Sequence, residues 1–568
     1  MVEMSVVVPA HNVAPWIAEQ LDCILRQDVD LEVIVIDDHS TDETYAIAAL
    51  VAEHDPRVRA VRAETAGGAS ARNTGTDLAS GEFLAFADAD DLVPDGAYRA
   101  LIEAARAADA EVAIGRHLKF SSGATWEPMR TWYDVGQHAV VDVETMPAIL
   151  ANRACWNRVF RADFFRAHRI RFPEVARSND IVPMVKAAVA ARRIVMVPEV
   201  SYLYRERPGR SSMTARASSL VGISSYLDQE IAVARMLATS SAAVRRQHSL
   251  IVLNADGFVH LEGFLRSSPS RGDVTAVGDK VRTLLAALYS LESGLLRMDR
   301  AALWLLMITG RTGVAVRLAE AVAEADRDAT ITDDLVDAWR EVIDIIVSGG
   351  TDAAFAIDGW SALSEGPLVL LANRAEHAED EVLRRAVVAF APYLREESAG
   401  SELLDAVAAA LRSGDHTLLR VVSAVRHVAP LVIDDAKPTT NVMSVAGPLP
   451  SALPSLPRCS LVLTDSTGHQ STFGVAVEGN RWHSALDARA IRAGRHRVTL
   501  RVMLDHISID LPVVTARMPL PPVEHGTQLQ PLADRYDGWR FLVDRLVPAS
   551  RPVRVVQRAR ALLRRLVR

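Results

Sequence analysis

The chain has 568 residues, too many for one hydrophobic core, so we expect two to four domains. Its 49% hydrophobic and 24% charged residues are typical of a folded globular protein. A formal net charge of -8 argues against a general nucleic-acid-binding protein. The three cysteines, Cys23, Cys155 and Cys459, are far apart and form no CxxC pair. They therefore indicate neither a disulfide framework nor a zinc site, and they fit a reducing compartment.

The amino terminus and the hydropathy pattern predict where the protein works. Residues 1–12 lack the basic region and the long apolar stretch of a signal peptide. No uninterrupted apolar stretch is long enough to span a bilayer. We therefore expect the active site to face the cytoplasm.

Strands and helices alternate along the first sixty residues. Short β-branched runs predict strands at 4–9, 32–36 and 58–61, and apolar residues at helical spacing predict helices at 14–27 and 43–53. A β-α-β-α-β order predicts a doubly wound parallel sheet with right-handed crossovers.

An apolar run at 81–87 leads directly into three carboxylates, Asp88, Asp90 and Asp91. Ligands of open α/β sheets bind at the carboxyl ends of the strands, where these carboxylates must lie. An Asp-x-Asp pair there suits a hard divalent cation that is shared with substrate phosphates. The alternative is an acidic turn that opens the next helix, since Asp also favours helix starts.

Two further polar residues are predicted at the same edge. Asp38 follows the second strand and could accept hydrogen bonds from a base or ribose. Arg72, in a glycine-containing loop, can pair with a diphosphate whose charge a metal at Asp88 and Asp90 would neutralise. Singly, Arg72 could be a surface ion-pair residue and Asp38 a helix cap. At successive strand ends, the set favours a site for a nucleoside diphosphate.

Four motifs in this region resemble the signatures of family 2 glycosyltransferases, which have the GT-A fold. They are VVVPAHN at 6–12, VIDDHSTD at 35–42, ARNTG at 71–75 and ADADD at 87–91. The resemblance implies inverting transfer of a sugar from a nucleotide-activated donor, with Mn²⁺ or Mg²⁺ at the Asp-x-Asp motif.

The resemblance also implies roles for individual residues. The metal would be bound by Asp90, with Asp88 beside it and near the ribose. Pro9 and Asp38 would line the nucleoside pocket. The donor-binding residues implied are Pro9, Asn12, Asp38, Arg72, Asn73, Asp88, Arg205 and Arg207.

The resemblance extends through the segment 154–214, which would form the acceptor half. Its motifs are CWNRVFR at 155–161, IRFPE at 170–174, SND at 178–180, YLYR at 202–205 and RSSMT at 210–214. Inversion needs a base that takes the proton of the acceptor hydroxyl, worth roughly 10²- to 10⁴-fold in rate. The family commonly uses the Asp of a Glu-Asp pair, which here reads Asn179-Asp180. We assign the base to Asp180; the alternative is a helix N-cap.

The arginines Arg205, Arg207 and Arg210 follow a predicted strand. By resemblance, a loop of this kind can close over the donor diphosphate, and guanidinium groups suit that contact. Solvated surface arginines are the alternative.

The remainder of the chain is predicted to form three further parts after a GT-A domain at 1–216. Amphipathic patterns predict a helical connecting domain at 217–437. Alternating short runs predict a small immunoglobulin-like β-sandwich at 438–522. Residues 523–568 combine a linker with an arginine-rich amphipathic helix, which predicts binding to an anionic membrane surface at the inner face of the cell membrane. An arginine-rich partner helix or a disordered tail are the alternatives.

This layout resembles the poly(ribitol-phosphate) N-acetylglucosaminyltransferases of wall teichoic acid. It implies transfer of a hexose or N-acetylhexosamine from a UDP-sugar to a hydroxyl of a cell-envelope polymer, by a homo-oligomer that could be a trimer. Transfer to capsular polysaccharide or to a lipid-linked oligosaccharide is the enzymatic alternative. A degenerate GT-A domain that serves as a non-catalytic scaffold is the alternative of a different class.

Overall fold

The computed structural model describes most of the chain and divides it into two compact units. The described residues are 2–121, 123–207, 218–291, 295–348, 357–425, 431–433, 435–438, 442–448, 459–479, 481–491, 494–504, 507–515, 529–532 and 540–543. One unit comprises residues 1–323 and 344–358, and the other comprises 324–343 and 359–568.

A nine-stranded mixed sheet forms the centre of the first unit. Its strands are β1 (Met4–Ala10), β2 (Leu31–Asp37), β3 (Val58–Arg62), β4 (Phe83–Phe86), β5 (Val112–Phe120), β6 (Thr125–Trp126), β7 (Ala139–Val141), β8 (Arg158–Arg161) and β9 (Ile194–Arg205). The order is β3-β2-β1-β4-β8-β5-β9-β7, with β6 paired to β5. The first four strands of that order are parallel, whereas β8 is antiparallel to both its neighbours.

Six helices belong to the segment that contains this sheet. They are α1 (Ile17–Leu25), α2 (Thr44–His54), α3 (Gly68–Leu78), α4 (Ala97–Ala108), α5 (Ala162–Ala167) and α6 (Ile181–Ala190). The β-branched residues of β1 are fully buried, as a parallel strand covered on both faces requires. Beside the end of β4, the rings of Phe86, Phe160, Phe165 and Phe172 pack at centroid distances of 5.0 to 6.3 Å.

Helices follow the sheet region and continue into the second unit. They are α7 (Leu220–Met236), α8 (Ala242–Asn254), α9 (Asp256–Leu265), α10 (Arg271–Ala287), α11 (Met298–Ile308), α12 (Thr312–Asp328), α13 (Asp333–Val347), α14 (Gly359–Glu365), α15 (Pro367–Arg374), α16 (Asp380–Phe390), α17 (Glu402–Ser413) and α18 (His416–Val425). Helices α7 to α11 lie in the first unit, together with the sheet.

The second unit ends in a ten-stranded sheet that is almost entirely antiparallel. Its strands are β10 (Leu431–Ile433), β11 (Asp435–Pro438), β12 (Val442–Pro448), β13 (Cys459–Asp465), β14 (Gln470–Glu478), β15 (Arg481–Asp487), β16 (Gly494–Leu504), β17 (Ile507–Thr515), β18 (Leu529–Leu532) and β19 (Arg540–Val543). The first half of β14 pairs with β13 and its second half with β15, so this strand joins two antiparallel halves. Strand β10 precedes the boundary predicted at residue 438, and β11 ends at that residue.

The predicted fold class is confirmed: an α/β domain with a parallel sheet is followed by helices and then by a separate antiparallel β module. Across the described ranges, no helix combines the length and the apolar character needed to cross a bilayer. The predicted basic helix near the carboxyl terminus and Arg210 lie outside the described residues.

Candidate functional site

The carboxyl ends of β1, β2 and β4 meet at one edge of the parallel sheet, and most of the predicted donor-binding residues lie there. Pro9 is half-buried near the end of β1. Strand β4 pairs with β1 only as far as Val7. Because proline has no amide hydrogen, its place at position 9 therefore costs no hydrogen bond between β1 and β4.

Asn12 and Asp38 lie close together where β1 and β2 end. The Nδ1 atom of His11 is 2.5 Å from the main-chain oxygen of Asp38, and the Oδ1 atom of Asn12 accepts a hydrogen bond of 2.8 Å from the amide of Thr41. Asn12 has a φ of +51°, a left-handed conformation that asparagine tolerates. The Asp38 carboxylate accepts a hydrogen bond of 2.7 Å from the Gly67 amide. These contacts link the first two strand ends to the start of α3.

Gly67 precedes α3 with a φ of +126°, a conformation that side-chain-bearing residues rarely adopt. The chain can therefore turn sharply after β3 into α3, the helix that carries Arg72.

Arg72 connects the predicted donor region with the predicted base. Its Nη2 donates a hydrogen bond of 2.7 Å to Asp88, and its Nη1 donates one of 3.3 Å to the Oδ1 of Asn179. The Arg72 side chain is only 11% exposed, and its guanidinium lies 5.5 Å from the centroid of the Phe172 ring. Packing and both acceptors thus hold this cation in one orientation.

Asn73 is next to Arg72 but is engaged with the main chain. Its side-chain amide donates to the carbonyl of Phe172 at 2.8 Å and its oxygen accepts from the amide of Phe172 at 3.0 Å. This pair ties α3 to the segment before α6, and the side-chain oxygen and amide of Asn73 are both used within the protein.

The two aspartates that follow Asp88 are held by arginines from the end of β9. Arg207 donates from Nε to the carboxylate of Asp90, and both side chains are 15% exposed. Arg205 donates from Nε to the main-chain oxygen of Asp90 at 2.8 Å, and its amide donates to Asp91 at 2.7 Å. Arg205 also pairs with Glu19 at 2.7 Å, so it fastens the acidic turn to β9 and α1.

The donor set of this turn fits a metal that is shared with a ligand. Burial raises the pKa of Asp90 despite its contact with Arg207, and burial with the neighbouring Asp90 and Asp88 raises the pKa of Asp91 strongly. Within the described part of the chain, no three His, Cys, Asp or Glu residues converge on a metal position. A metal of nucleotide sites commonly takes one or two carboxylates and completes its shell with phosphates and water. The residues therefore fit such a metal once Arg207 releases Asp90.

Asp180 occupies the N-cap position of α6, but its carboxylate makes no capping hydrogen bond. Burial raises the pKa of Asp180, and the guanidinium of Arg72 offsets this rise only in part. The capping alternative therefore does not account for the side chain. Asp180 follows Asn179, which accepts a hydrogen bond from Arg72. A carboxylate with a raised pKa in such a position can act as a general base.

Asp180 opens into a cavity of about 590 Å³. The lining side chains come from β5 and β9, from the segment 128–132, from the segments before β8 and α6, and from α8 and α9. They include His117, Lys119, Trp132, Arg153, Trp156, Arg177, Asp180, Tyr204, Asp256 and His260. A site of this size and mixed polarity can hold a ligand of one or two sugar units.

Trp156 forms the aromatic part of the cavity wall. It stacks on Tyr202 at 4.3 Å and on Tyr204 at 5.6 Å between centroids, and His117 meets it edge-on at 4.8 Å. The hydroxyl of Tyr202 accepts a hydrogen bond of 2.9 Å from the amide of Asp88. The wall of the cavity is therefore connected directly to the acidic turn.

Sequence reasoning missed the contribution of Arg153, Asp256 and His260 to this cavity. Arg153 lies just before the CWNRVFR motif, and Asp256 and His260 lie in α9, which carries no recognised motif. Their four-residue spacing on α9 was the available signal, because it puts Asp256 and His260 on one helix face.

The sequence matches the model of the family described as Glycosyl transferase family 2 over residues 5–170. GlyG, a glycosyltransferase of Streptococcus pneumoniae serotype 4, is 30% identical over 221 residues, which cover 36% of this chain and 71% of GlyG. The chain therefore belongs to glycosyltransferase family 2. EpsJ, an uncharacterized glycosyltransferase of Bacillus subtilis, is 30% identical over 215 residues, and the match spans 36% of this chain and 61% of EpsJ.

A third relative is TarS of Staphylococcus aureus, a poly(ribitol-phosphate) beta-N-acetylglucosaminyltransferase. It is 27% identical over 230 residues, which cover 38% of this chain and 38% of TarS. The crystal structure of S. aureus TarS 1-349 in complex with UDP-GlcNAc aligns with a TM-score of 0.48 and 19% identity, covering 57% of this chain and 92% of that one.

Proposed function

We propose that the protein is an inverting glycosyltransferase that moves a hexose or an N-acetylhexosamine from a UDP-sugar to a hydroxyl of a cell-envelope polymer such as wall teichoic acid. The observation that carries the proposal is the position of Asp180. Its carboxylate is not engaged in capping, and it lines a cavity of about 590 Å³. Family membership and the activity that the name of the relative TarS states support the choice of donor and acceptor classes.

In this mechanism Asp180 takes the proton of the acceptor hydroxyl as that oxygen bonds to the anomeric carbon of the donor sugar, while the bond from that carbon to the diphosphate breaks and UDP leaves. The raised pKa of Asp180, which burial causes, increases its strength as a base. Arg72 holds Asp88 and Asn179 together, so the donor and the base keep a constant relation.

The donor nucleotide would lie along the strand ends, with its base and ribose near Pro9, Asn12 and Asp38. Asp38 has one carboxylate oxygen on the Gly67 amide and can offer the other to a ligand. Arg72, Arg205 and Arg207 provide positive charge near the diphosphate, whereas Asn73 supports Arg72 through the Phe172 main chain.

A divalent cation, Mn²⁺ or Mg²⁺, would be held by Asp90 with Asp88 beside it, and it would offset the charge that develops on the leaving diphosphate. Since Arg207 contacts Asp90 in this structure, the cation and the guanidinium compete for one carboxylate.

A panel of UDP-sugars with Mn²⁺, scored for UDP release, tests the proposal. We expect release from one sugar, and a loss of at least a hundredfold in the variant Asp180→Asn with UDP binding retained. The control variant is Asp163→Asn, on the short helix α5, because the Asp163 carboxylate does not line the cavity. If Asp180→Asn turned over normally, another group would have to be the base.

Acceptor choice is tested with the active donor. Purified wall teichoic acid, capsular polysaccharide and lipid-linked oligosaccharide are compared as acceptors, and we expect the fastest transfer to teichoic acid. No release from any donor, combined with no binding of UDP by calorimetry, would favour the non-catalytic scaffold.

We also propose that the protein associates with the inner face of the cell membrane through residues 551–568 and forms a homo-oligomer. Arginine-rich composition of that segment supports the first statement. Deleting residues 551–568 should abolish binding to anionic liposomes, and light scattering of the full chain would give the oligomeric state.

A further inference from the structure

Helices α8 and α9 supply part of the wall of the cavity that contains Asp180. Asp256 and His260 of α9 line it together with Asp180, which belongs to a segment about 75 residues earlier in the chain. Helix α7 fastens that earlier segment, because the Ser225 hydroxyl donates to the carbonyl of Arg177 at 2.6 Å and accepts from its amide at 3.1 Å. The helices are thus part of the site.

A buried ion-pair network holds Asp256 in place. Arg153, whose side chain is 8% exposed, donates to Glu230 and, at 3.3 Å, to the Oδ2 of Asp256. Glu230 is fully buried and is also 2.8 Å from the Nε2 of His248. Burial alone would raise the pKa of Glu230, but Arg153 and His248 lower it to about 2. The charge of Glu230 is therefore satisfied inside the protein.

Asp256 differs from Glu230 in its exposure. Its side chain is 46% exposed at the cavity, although it shares the same arginine. Its other oxygen is 3.8 Å from His260, beyond hydrogen-bond distance. Because a carboxylate can accept about four hydrogen bonds, Asp256 retains acceptor capacity that faces the cavity.

Close packing and hydrogen bonds surround the main chain next to Asp256. A side chain at Gly257 would collide with the Val252 carbonyl oxygen at 2.4 Å, so only glycine allows α9 to start so close to α8. Asn254 donates to the carbonyl of Leu295 at 2.5 Å and accepts from the amide of Arg297 at 3.1 Å. These contacts fix the main chain from which the Asp256 carboxylate projects, which is what a positioning group requires.

We propose that Asp256 binds a second hydroxyl of the acceptor and thereby orients the reactive hydroxyl toward Asp180. This inference rests on the proposed function. It assigns the cavity to a polyhydroxylated unit, a sugar ring or a linear polyol, whose hydroxyls donate to Asp256 while Trp156 packs against its carbon skeleton. A negatively charged group on the acceptor would be repelled from Asp256 and would have to lie elsewhere, nearer Lys119.

The test measures binding of two probes, ribitol and methyl β-glucoside, by tryptophan fluorescence in the presence of UDP. Trp132 and Trp156 line the cavity and should report on its occupancy. We expect at least one probe to saturate the wild type and its dissociation constant to rise at least tenfold in Asp256→Asn. Asp279→Asn, an exposed aspartate on α10, should leave that constant unchanged.

Two further measurements separate the outcomes. UDP binding by calorimetry should be equal in the wild type and Asp256→Asn, which shows that the variant is folded. If Asp256→Asn lost UDP binding, the variant Asp256→Glu would be used in its place. We expect Asp256→Glu to bind the probe at least threefold more weakly than the wild type. Equal probe affinities in the folded variant and the wild type, or no probe binding to the wild type, would overturn this inference. A wild type that failed to bind UDP would instead overturn the proposed function.

Discussion

Arg207 donates a hydrogen bond from its Nε to the carboxylate of Asp90, the second aspartate of the Asp-x-Asp motif. The guanidinium also lies 4.7 Å above the centroid of the Trp16 ring, so an aromatic face supports it from the other side. Both charged side chains are 15% exposed, which makes their mutual attraction less screened than that of a surface pair. Arg207 therefore occupies the carboxylate that a cation would need.

Removing this guanidinium should strengthen metal binding in the absence of a nucleotide. In Arg207→Gln the Asp90 carboxylate loses its cationic partner, and a positive charge that repels the metal disappears. We expect about tenfold tighter Mn²⁺ binding, measured by electron paramagnetic resonance of the free ion or by quenching of tryptophan fluorescence. Arg192→Gln, which changes an arginine that is 90% exposed, is the control. Unchanged or weaker Mn²⁺ binding would contradict competition at Asp90.

The neutral residue beside Asp180 should set the pH at which the enzyme loses activity. Asn179 accepts from Arg72 at 3.3 Å, and in Asn179→Glu a carboxylate would add negative charge next to Asp180. Like charges raise a carboxyl pKa, so the acidic limb of the kcat/KM profile should move to higher pH by about one unit. The matched variant Asn179→Gln keeps a neutral amide and should leave the limb in place. A limb that moved equally in both variants would show that packing, not charge, decides the effect.

Acidification should destabilise the protein through His117. The ring is 3% exposed, and burial, with Lys119 and Arg158 nearby, lowers the pKa of His117 from 6.5 to about 4. The unfolded chain therefore takes up a proton between pH 6.5 and 4 that the folded chain does not. Stability contributed by this group is complete above pH 6.5 and falls as the pH drops to 4, by up to about 3 kcal/mol.

The variant His117→Gln should flatten that part of the pH dependence, measured as the urea midpoint at pH 7 and pH 4.5. His138→Gln, at an exposed histidine, is the control that should retain the wild-type dependence. An unchanged slope in His117→Gln would mean that another group titrates in this range.

The buried pair of Arg153 and Glu230 should be costly to break. Neutralising Glu230 leaves Arg153 with the partly exposed Asp256 as its remaining carboxylate partner among the residues described here. We expect Glu230→Gln to lower the free energy of unfolding by about 3 kcal/mol, seen as a lower urea midpoint. Glu103→Gln, which removes an exposed charge on α4, should change it by less than about 0.5 kcal/mol. The double variant Arg153→Leu and Glu230→Leu should recover part of the lost free energy of unfolding. If Glu230→Gln were as stable as the wild type, the ion-pair network would not anchor Asp256.

The local pattern of the sequence determined the alternation of strands and helices, and with it the edge where Asp38, Arg72 and Asp88 gather. A buried strand cannot continue through charges, so the positions of the carboxylates along the chain specify where strands end. The same reasoning, with the family resemblance, predicts Asp180 as the candidate base. Its free carboxylate at the start of α6 could not be read from the chain, because an aspartate before a helix is equally suited to capping.

Only the tertiary structure decided which of these residues touch. The contacts of Arg72 with Asn179 and of Arg207 with Asp90 join positions 107 and 117 residues apart, and such pairs leave no periodic trace in the sequence. The family resemblance predicts Asn73 beside the donor, but its side chain is bound to the Phe172 main chain. That contact also leaves no periodic trace in the sequence. Asp256 lies on a helix whose amphipathic pattern predicts one buried face. The pattern does not specify which other elements pack against that face. The place of Asp256 beside Asp180 follows from the packing of α7 to α9, because side-chain shape and long-range ion pairs select the neighbours of a helix.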